Sequence, residues 1–339
     1  MGRVLIYPEG SWVALITPFD ERGGLDIDGF KRLIDFQATN GTSGLLLMGS
    51  TGEPTSLSME ERKRIVEEVA PYGKKKIPLF FGVACGSTAD TIKLAQFVQE
   101  RGGDGIMVVI PPYVAPPQAA VYEFLKSVCQ SVDIAVAIYN NPARVIVNID
   151  PQTIAKLVEE CPNLVADKEA VPSVAQLASV MAGTGKRLRL LCCDAPNYGL
   201  IIPTLGMGGH GTANVTGNVA PQEMAKLSKP WRSWDDVATG RELYFKYLPL
   251  MEAAYLATNP VAIKAMVKLM GLPSGDPRPP LPRIEGDQLK RLEDVIRRFN
   301  LRERYELEFK SFIETGKKDL PDVFTQTVCD VKKDTRLKS

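Results

Sequence analysis

At 339 residues the chain is long enough for one α/β barrel with additions or for two smaller domains. Hydrophobic residues make up 45% and charged residues 24%, a globular composition far from that of a disordered chain. A formal net charge of +1 gives no global field to recruit nucleic acid or an anionic membrane surface, so neither is an expected partner.

No uninterrupted apolar run approaches the roughly 20 residues of a membrane span, and residues 1–10 lack the apolar core of a signal peptide. The expectation is a cytoplasmic protein. The six cysteines (Cys85, Cys129, Cys161, Cys192, Cys193, Cys329) are scattered without a CxxC pair, which suits reduced, mostly buried thiols. Cys192 and Cys193, being adjacent, should face opposite sides of a strand.

Short apolar runs at 12–17, 44–48, 78–83, 105–110, 134–139, 164–168, 188–193 and 211–215 read as eight strands. Between them lie amphipathic stretches of helical length, such as 28–39, 58–70 and 87–101. Ser58 followed by Glu61 forms a capping-box signature, and Ser87 or Thr88 precedes Asp90 near another helix start. Eight strand–helix units predict a closed (β/α)8 TIM barrel over 1–230, although a doubly wound sheet would show a similar rhythm. From 231 to 300 the pattern turns purely helical, with helices at 233–257, 260–270 and 285–298 around a Pro-rich break at 273–282, and predicts a C-terminal helical appendage. The remaining stretch, 301–339, is charged and ends in Lys332, Lys333, Arg336 and Lys338, and it reads as a solvated helix or frayed tail.

The chain has a single histidine, His210, which argues against serine-hydrolase chemistry, His-rich metal sites and metal-dependent aldolases. Lys, Tyr, Ser, Thr or carboxylates are left to carry any reaction. In a barrel of this kind reactive groups sit at the C-terminal ends of strands. That rule selects Gly49-Ser50-Thr51-Gly52-Glu53 after strand two, Tyr139-Asn140-Asn141-Pro142 at the end of strand five, and Lys168-Glu169 at the end of strand six.

A lysine closing an apolar strand would be desolvated in the barrel mouth, and burial lowers an ammonium pKa toward the range in which the free amine attacks a ketone. Lys168 reads equally well, on its own segment, as a surface lysine in a strand–helix loop. Asp167 beside it should face the helix layer. The glycine-bounded loop 49–53 offers backbone N–H groups and two hydroxyls to a carboxylate, yet such loops are usually only turns. Tyr139 could relay protons, though an aromatic at a strand end is more often core filler.

Taken in order, these segments resemble the dihydrodipicolinate synthase and N-acetylneuraminate lyase superfamily of Schiff-base lyases. The similarity covers about residues 10 to 300 and also includes Pro111-Pro112-Tyr113, Asp167-Lys168-Glu169-Ala170, and Gly208-Gly209-His210-Gly211 before Asn214 and Asn218. The resemblance implies Lys168 as the Schiff-base lysine, Tyr139 as the proton donor and acceptor above it, and Ser50 with Thr51 binding the 2-oxo acid carboxylate. It places Arg144 where the synthases keep an arginine for the carboxylate of a second substrate. Gly49, Tyr113 and Ala213 complete the expected substrate contacts. The synthases carry two consecutive tyrosines in the strand-four segment, the second reaching a neighbouring subunit's proton relay, whereas here Val114 follows Tyr113. Ser50 in place of threonine, and the Pro-Pro-Tyr form, are more like the lyase and sugar-acid branches.

The leading expectation is therefore a pyruvate-dependent, lysine Schiff-base lyase or synthase close to 4-hydroxy-tetrahydrodipicolinate synthase. The same mechanism also serves an aldolase or dehydratase of a 2-oxo-3-deoxy sugar acid or of 4-hydroxy-2-oxoglutarate. From another class comes a catalytically silent barrel that binds a small carboxylate, which would not need Tyr139 and Lys168 together. No metal or organic cofactor is expected, because an iminium is itself the electron sink. The resemblance also implies a homo-oligomer, a dimer of dimers.

Overall fold

The computed structural model describes residues 4–306. Eight parallel strands, β1 (Gly10–Ala14), β2 (Gly44–Leu47), β3 (Leu79–Gly82), β4 (Gly105–Val109), β5 (Ala135–Asn140), β6 (Leu164–Glu169), β7 (Arg189–Cys192) and β8 (Gly211–Asn214), close into a barrel in sequence order, with β8 pairing back onto β1. The helices are α1 (Ile27–Thr39), α2 (Met59–Gly73), α3 (Thr88–Glu100), α4 (Gln118–Gln130), α5 (Pro142–Val145), α6 (Pro151–Glu160), α7 (Val174–Thr184), α8 (Ile201–Gly206) and α9 (Pro221–Leu227). They are followed by α10 (Trp234–Ala254), α11 (Val261–Leu269), α12 (Gly286–Arg298) and the short α13 (Leu301–Arg304). The predicted TIM barrel with a helical C-terminal region is the fold found.

Within the unit that ends at Leu301, α10 packs on α8, α9 and α12, so the C-terminal helices lean on the barrel's own helical layer. The expected charged tail lies, from residue 307 onward, outside the described residues. Among the described residues no helix is long and apolar enough to cross a membrane.

Local signals explain the helix starts. Ser58 accepts from the Glu61 backbone N–H while Glu61 accepts from that of Ser58, the reciprocal capping box read from the sequence. Ser87 caps α3 by accepting from Asp90 N. The first strand lies earlier than its apolar signature, at Gly10–Ala14 instead of 12–17. Gly10 and Ser11 enter the ladder beside Gly211 and Thr212, where only glycine tolerates the close approach of the two backbones: a Cβ on Gly211 would lie 2.1 Å from Gly10 O. Leu15 N still donates to Leu46 O at 3.0 Å, and one residue on Ile16 N donates to the Asn218 side chain.

The barrel interior is filled by Trp12, Leu46, Phe80, Met107, Ala137, Tyr139, Ala166, Leu191, Cys193 and Ala213, among others. Trp12 and Phe80 meet edge to face with centroids 4.8 Å apart. Cys193 belongs to this interior, and Cys192, one residue earlier, is buried with its thiol near Gly211 O, 3.9 Å away.

Strand β6 sorts its charged residues by alternation. Ala166 points inward with Lys168, so Asp167 and Glu169 are directed at the helix layer. Glu169 is well held there, accepting from Ala170 N and Val171 N at 2.8 Å and from Asn140 and Gln176, although burial still pushes its carboxyl up to about 7. Asp167 is fully buried and neither of its oxygens has a hydrogen-bond partner. Burial, then the nearby Glu169, pushes its carboxyl well above the ordinary range, so the folded protein holds the proton that an unfolded chain releases above about pH 3.9. The stability this proton contributes is complete below that pH and is lost as pH rises. Asp167→Asn should therefore raise the urea midpoint more at pH 8 than at pH 5. An equal change at both pH values would contradict a protonated Asp167.

Candidate active site

Parallel pairing of β5 with β6 sets Tyr139 beside Lys168 in register, both turned into the barrel near its C-terminal end. Lys168 is 4% exposed, and its Nζ lies 4.3 Å from the centroid of the Tyr139 ring. Burial pulls its ammonium below the usual lysine range. Cys193 and Asp194 oppose that shift and Arg144 adds to it. A free amine is therefore present at lower pH than for a surface lysine, which is what addition to a carbonyl requires.

The Tyr139 hydroxyl is buried among polar neighbours. Asn141 Nδ2 donates to it at 2.6 Å, and the Cys193 thiol lies 4.0 Å away. Burial pushes the phenol well above its usual range, and the Asn141 hydrogen bond pulls it back. Burial likewise pushes the Cys193 thiol up to about 11. The thiol is thus a neutral wall of the site at ordinary pH, not a nucleophile.

After β2 the chain makes a tight turn. Gly49 precedes a 3-10 turn at Ser50–Gly52, with Gly52 N donating to Gly49 O at 2.8 Å. Ser50 is half-buried and Thr51 is buried, with Thr51 Oγ1 accepting from Asn259 Nδ2 at 3.0 Å. Glu53 closes the turn in the left-handed region at φ 52. Its side chain forms a fully buried ion pair with Lys264 on α11, Nζ to Oε1 2.7 Å, and accepts from Arg278 N at 2.8 Å. Lys264 Nζ also donates to Thr17 O at 3.1 Å and lies 4.1 Å from the Phe19 ring centroid. Burial pulls the Lys264 ammonium down while the Glu53 carboxylate pulls it back up.

Arg144, on α5, is exposed at the mouth and donates to Asn259 O at 3.3 Å. Asn259 thereby bridges the β2 and β5 loops. Ala213 is buried in the interior layer that also holds Trp12. Tyr113 stands 90% exposed on the loop after β4, with φ 81, and is not part of the interior cluster. His210 lies before β8, at the opposite end of the barrel, where its Nδ1 accepts from Leu190 N at 3.1 Å.

Asp194, Asn259 and Lys264, at this end, were not singled out from the sequence, and Asn141 and Cys193 were named there without a role. Asp194 gathers four donors, Val215 N and Thr216 N at 2.9 Å and the Thr216 and Tyr255 hydroxyls at 2.6 Å, and so pins the β7 and β8 loops to the end of α10. A strand-end aspartate carries a weak signal by itself. Asn259 and Lys264 arrive from the helical region, far along the chain, where no local pattern marks them.

The model of the Dihydrodipicolinate synthetase family matches residues 7–299. The chain belongs to that family. It is 35% identical over 289 residues to the 4-hydroxy-tetrahydrodipicolinate synthase of Syntrophobacter fumaroxidans, a match that covers 85% of this chain and 97% of the relative. The synthase of the same name from Aquifex aeolicus is 33% identical over 293 residues, covering 86% and 98%. The crystal structure of dihydrodipicolinate synthase from Thermotoga maritima superposes with a TM-score of 0.81 at 31% identity, covering 86% of this chain and 99% of that one. Family membership includes the barrel and the helices up to α12.

The ion pair gives a direct test. Glu53→Gln leaves a buried ammonium without its counter-charge and should destabilise the fold by about 3–5 kcal/mol, read as a lowered urea midpoint. Adding Lys264→Met should restore part of the loss, because the unpaired charge is gone. No recovery in the double variant would mean that Glu53 acts through something other than Lys264.

Proposed function

We propose that the chain is a lysine Schiff-base synthase that binds pyruvate through Lys168 and joins it to an aldehyde carrying a carboxylate, as a 4-hydroxy-tetrahydrodipicolinate synthase does. The observation that carries this reading is the buried Lys168 amine lying over the Tyr139 ring, with its ammonium pulled down by burial.

In this reading the Lys168 amine adds to the keto carbon. The C–N bond forms as the carbonyl π pair moves to oxygen, which takes a proton. Tyr139 is the donor, and the carbinolamine then loses water to give the iminium. The turn at Ser50 and Thr51, with Gly49, receives the 2-oxo acid carboxylate, which places the keto carbon over Lys168. Ala213 lines the wall below. Loss of a C3 proton converts the iminium to an enamine, whose carbon attacks the second substrate. Arg144, exposed at the mouth, meets that substrate's carboxylate. The iminium accepts the electrons, so the chemistry calls for no metal or organic cofactor. Five free thiols among the described residues suit the cytoplasm to which this reading assigns the protein.

Ser50 and Val114 favour a second reading on the same Schiff base, cleavage or dehydration of a hydroxylated 2-oxo acid. Borohydride added to enzyme and pyruvate should fix a reduced pyruvyl group on Lys168, and Lys168→Ala should abolish labelling; equal labelling of that variant would overturn the assignment. Aspartate semialdehyde condensation, assayed beside cleavage of 2-oxo-3-deoxy sugar acids and 4-hydroxy-2-oxoglutarate, decides between the two reactions. Condensation alone is expected.

The reading includes a homo-oligomer, a dimer of dimers by family resemblance. Exposed apolar side chains support it: Tyr113 and Val114 after β4, Ile146 after β5 and Val174 at the start of α7 stand in three consecutive strand-to-helix connections or their helix starts, at the same barrel end. Sedimentation equilibrium should return a multiple of the chain mass, and Ile146→Asp should lower it. A monomeric wild-type protein would remove this part of the proposal.

A further inference from the structure

Asn141 sits two residues after Tyr139, outside every role assigned above. It is 3% exposed, and its side-chain nitrogen donates to the Tyr139 hydroxyl at 2.6 Å. Its side-chain oxygen is buried without a hydrogen-bond partner, while its backbone oxygen accepts from Arg144 N and Val145 N, so the carboxamide is directed at Tyr139 from an anchored backbone. The Cys193 thiol approaches the same phenol oxygen from β7 at 4.0 Å. Both neighbours present hydrogens to that oxygen.

The consequence is directional. With its lone pairs facing the Asn141 N–H and the Cys193 S–H, the phenol keeps its own O–H for another acceptor. When that proton leaves, the resulting phenolate already has a short N–H donor in place and needs no rearrangement to be stabilised. A buried phenol lacking such a donor would give up its proton far less readily.

We propose that Asn141 is a positioning residue for the Schiff-base step: its carboxamide N–H holds the Tyr139 oxygen, aims the phenol proton at the carbinolamine, and stabilises the phenolate left behind. This rests on the reading of Lys168 and Tyr139 given under the proposed function. The step balances within one protomer. The Lys168 amine forms the C–N bond, the carbonyl oxygen takes the Tyr139 proton, and the phenolate is reprotonated by the proton that the nitrogen sheds. Tyr139 then gives that proton to the carbinolamine hydroxyl, water leaves as the iminium forms, and the phenolate recovers its proton from C3 as the enamine forms. The acid is thus tuned by a residue of its own strand-end loop.

The test measures imine formation alone, with pyruvate as the only substrate. Enzyme and pyruvate are mixed, quenched with borohydride at timed intervals, and the labelled fraction is read by mass spectrometry across pyruvate concentration and pH. Asn141→Val removes the donor, and Asn141→Asp retains the shape; both are first checked for a wild-type-like thermal midpoint. For Asn141→Val the limiting rate should fall about tenfold to a hundredfold, the size of one hydrogen bond to a developing charge, while the half-saturating pyruvate concentration stays within about threefold. Asn141→Asp donates only while its carboxyl is protonated, so its rate should fall as pH rises through that titration, a limb the wild type lacks.

Three results would overturn the proposal. Wild-type limiting rates in both variants would make Asn141 a filler residue. A weaker half-saturation with an unchanged limiting rate would make it a binding residue. An Asn141→Asp pH profile that matches the wild type would remove the donor argument, whatever the rate. If the wild-type enzyme itself takes up no label, the Schiff-base reading falls first, and the two failures are distinguishable.

Discussion

Parallel pairing between β5 and β6 is the constraint on which the site depends. It sets Tyr139 level with Lys168, and alternation turns both side chains into the barrel. Neither could be moved by one residue without being lost to the helix layer. The narrow interior then does the rest. Tightly packed neighbours exclude water from around the amine, and the tyrosine ring covers one side of it. A flexible lysine becomes a group of fixed position and altered basicity because the sheet leaves it nowhere else to go.

Two buried lysines show how surroundings assign different work to the same side chain. Lys264 donates to Glu53, to Thr17 O and to Asp276 O, the last at 3.3 Å, and lies over the Phe19 ring. Every hydrogen of its ammonium meets an acceptor, so it serves as a cation that ties α11 to the β2 loop. Lys168 has a ring face beside it, with Cys193, Asp194 and Arg144 as its electrostatic neighbours. Asp194 is already committed to four donors, two of them backbone N–H groups, which disperses its charge. Burial pulls both ammoniums down, and only at Lys264 does a directly bonded carboxylate pull back against it. The paired lysine holds the β2 loop through Glu53, and the unpaired one lies beside the Tyr139 ring inside the barrel.

Much of this was legible in the sequence. Eight apolar runs at barrel spacing gave the strands, and the strand-end rule brought out Lys168, Tyr139 and the 49–53 loop, because in this architecture position along a strand already implies which end of the barrel a residue occupies. The single histidine pointed away from metal and serine chemistry, and its place before β8, bonded to Leu190 N, agrees with a structural role. Residues contributed by distant segments were hidden. Asn259 reaches Thr51 across 208 positions of chain, and Lys264 reaches Glu53 across 211. Lys264 sits among apolar residues of an ordinary helix, with no periodic signal to set it apart from a solvated lysine. Tyr113 was expected at the substrate, but in the single chain it stands in solvent, where a left-handed backbone turns it outward from the β4 loop.

The charged run Asp167-Lys168-Glu169 shows why a local reading stops at even odds. Three consecutive ionisable residues look like a loop, yet all three are buried within a strand. Alternation separates them: the lysine goes to the interior and the two acids to the opposite face, so the strand's own carboxylates cannot neutralise its lysine. Glu169 is accommodated by backbone N–H groups and two carboxamides, whereas Asp167 is left to hold its proton with no hydrogen-bond partner. Had either acid shared the lysine's face, the result would have been another buried ion pair like Glu53 with Lys264, stable and unreactive. Keeping the carboxylates on the far side of the sheet leaves the interior lysine without a paired acid, so burial pulls its ammonium down, and the unsatisfied Asp167 is the stability cost of building that arrangement into one strand.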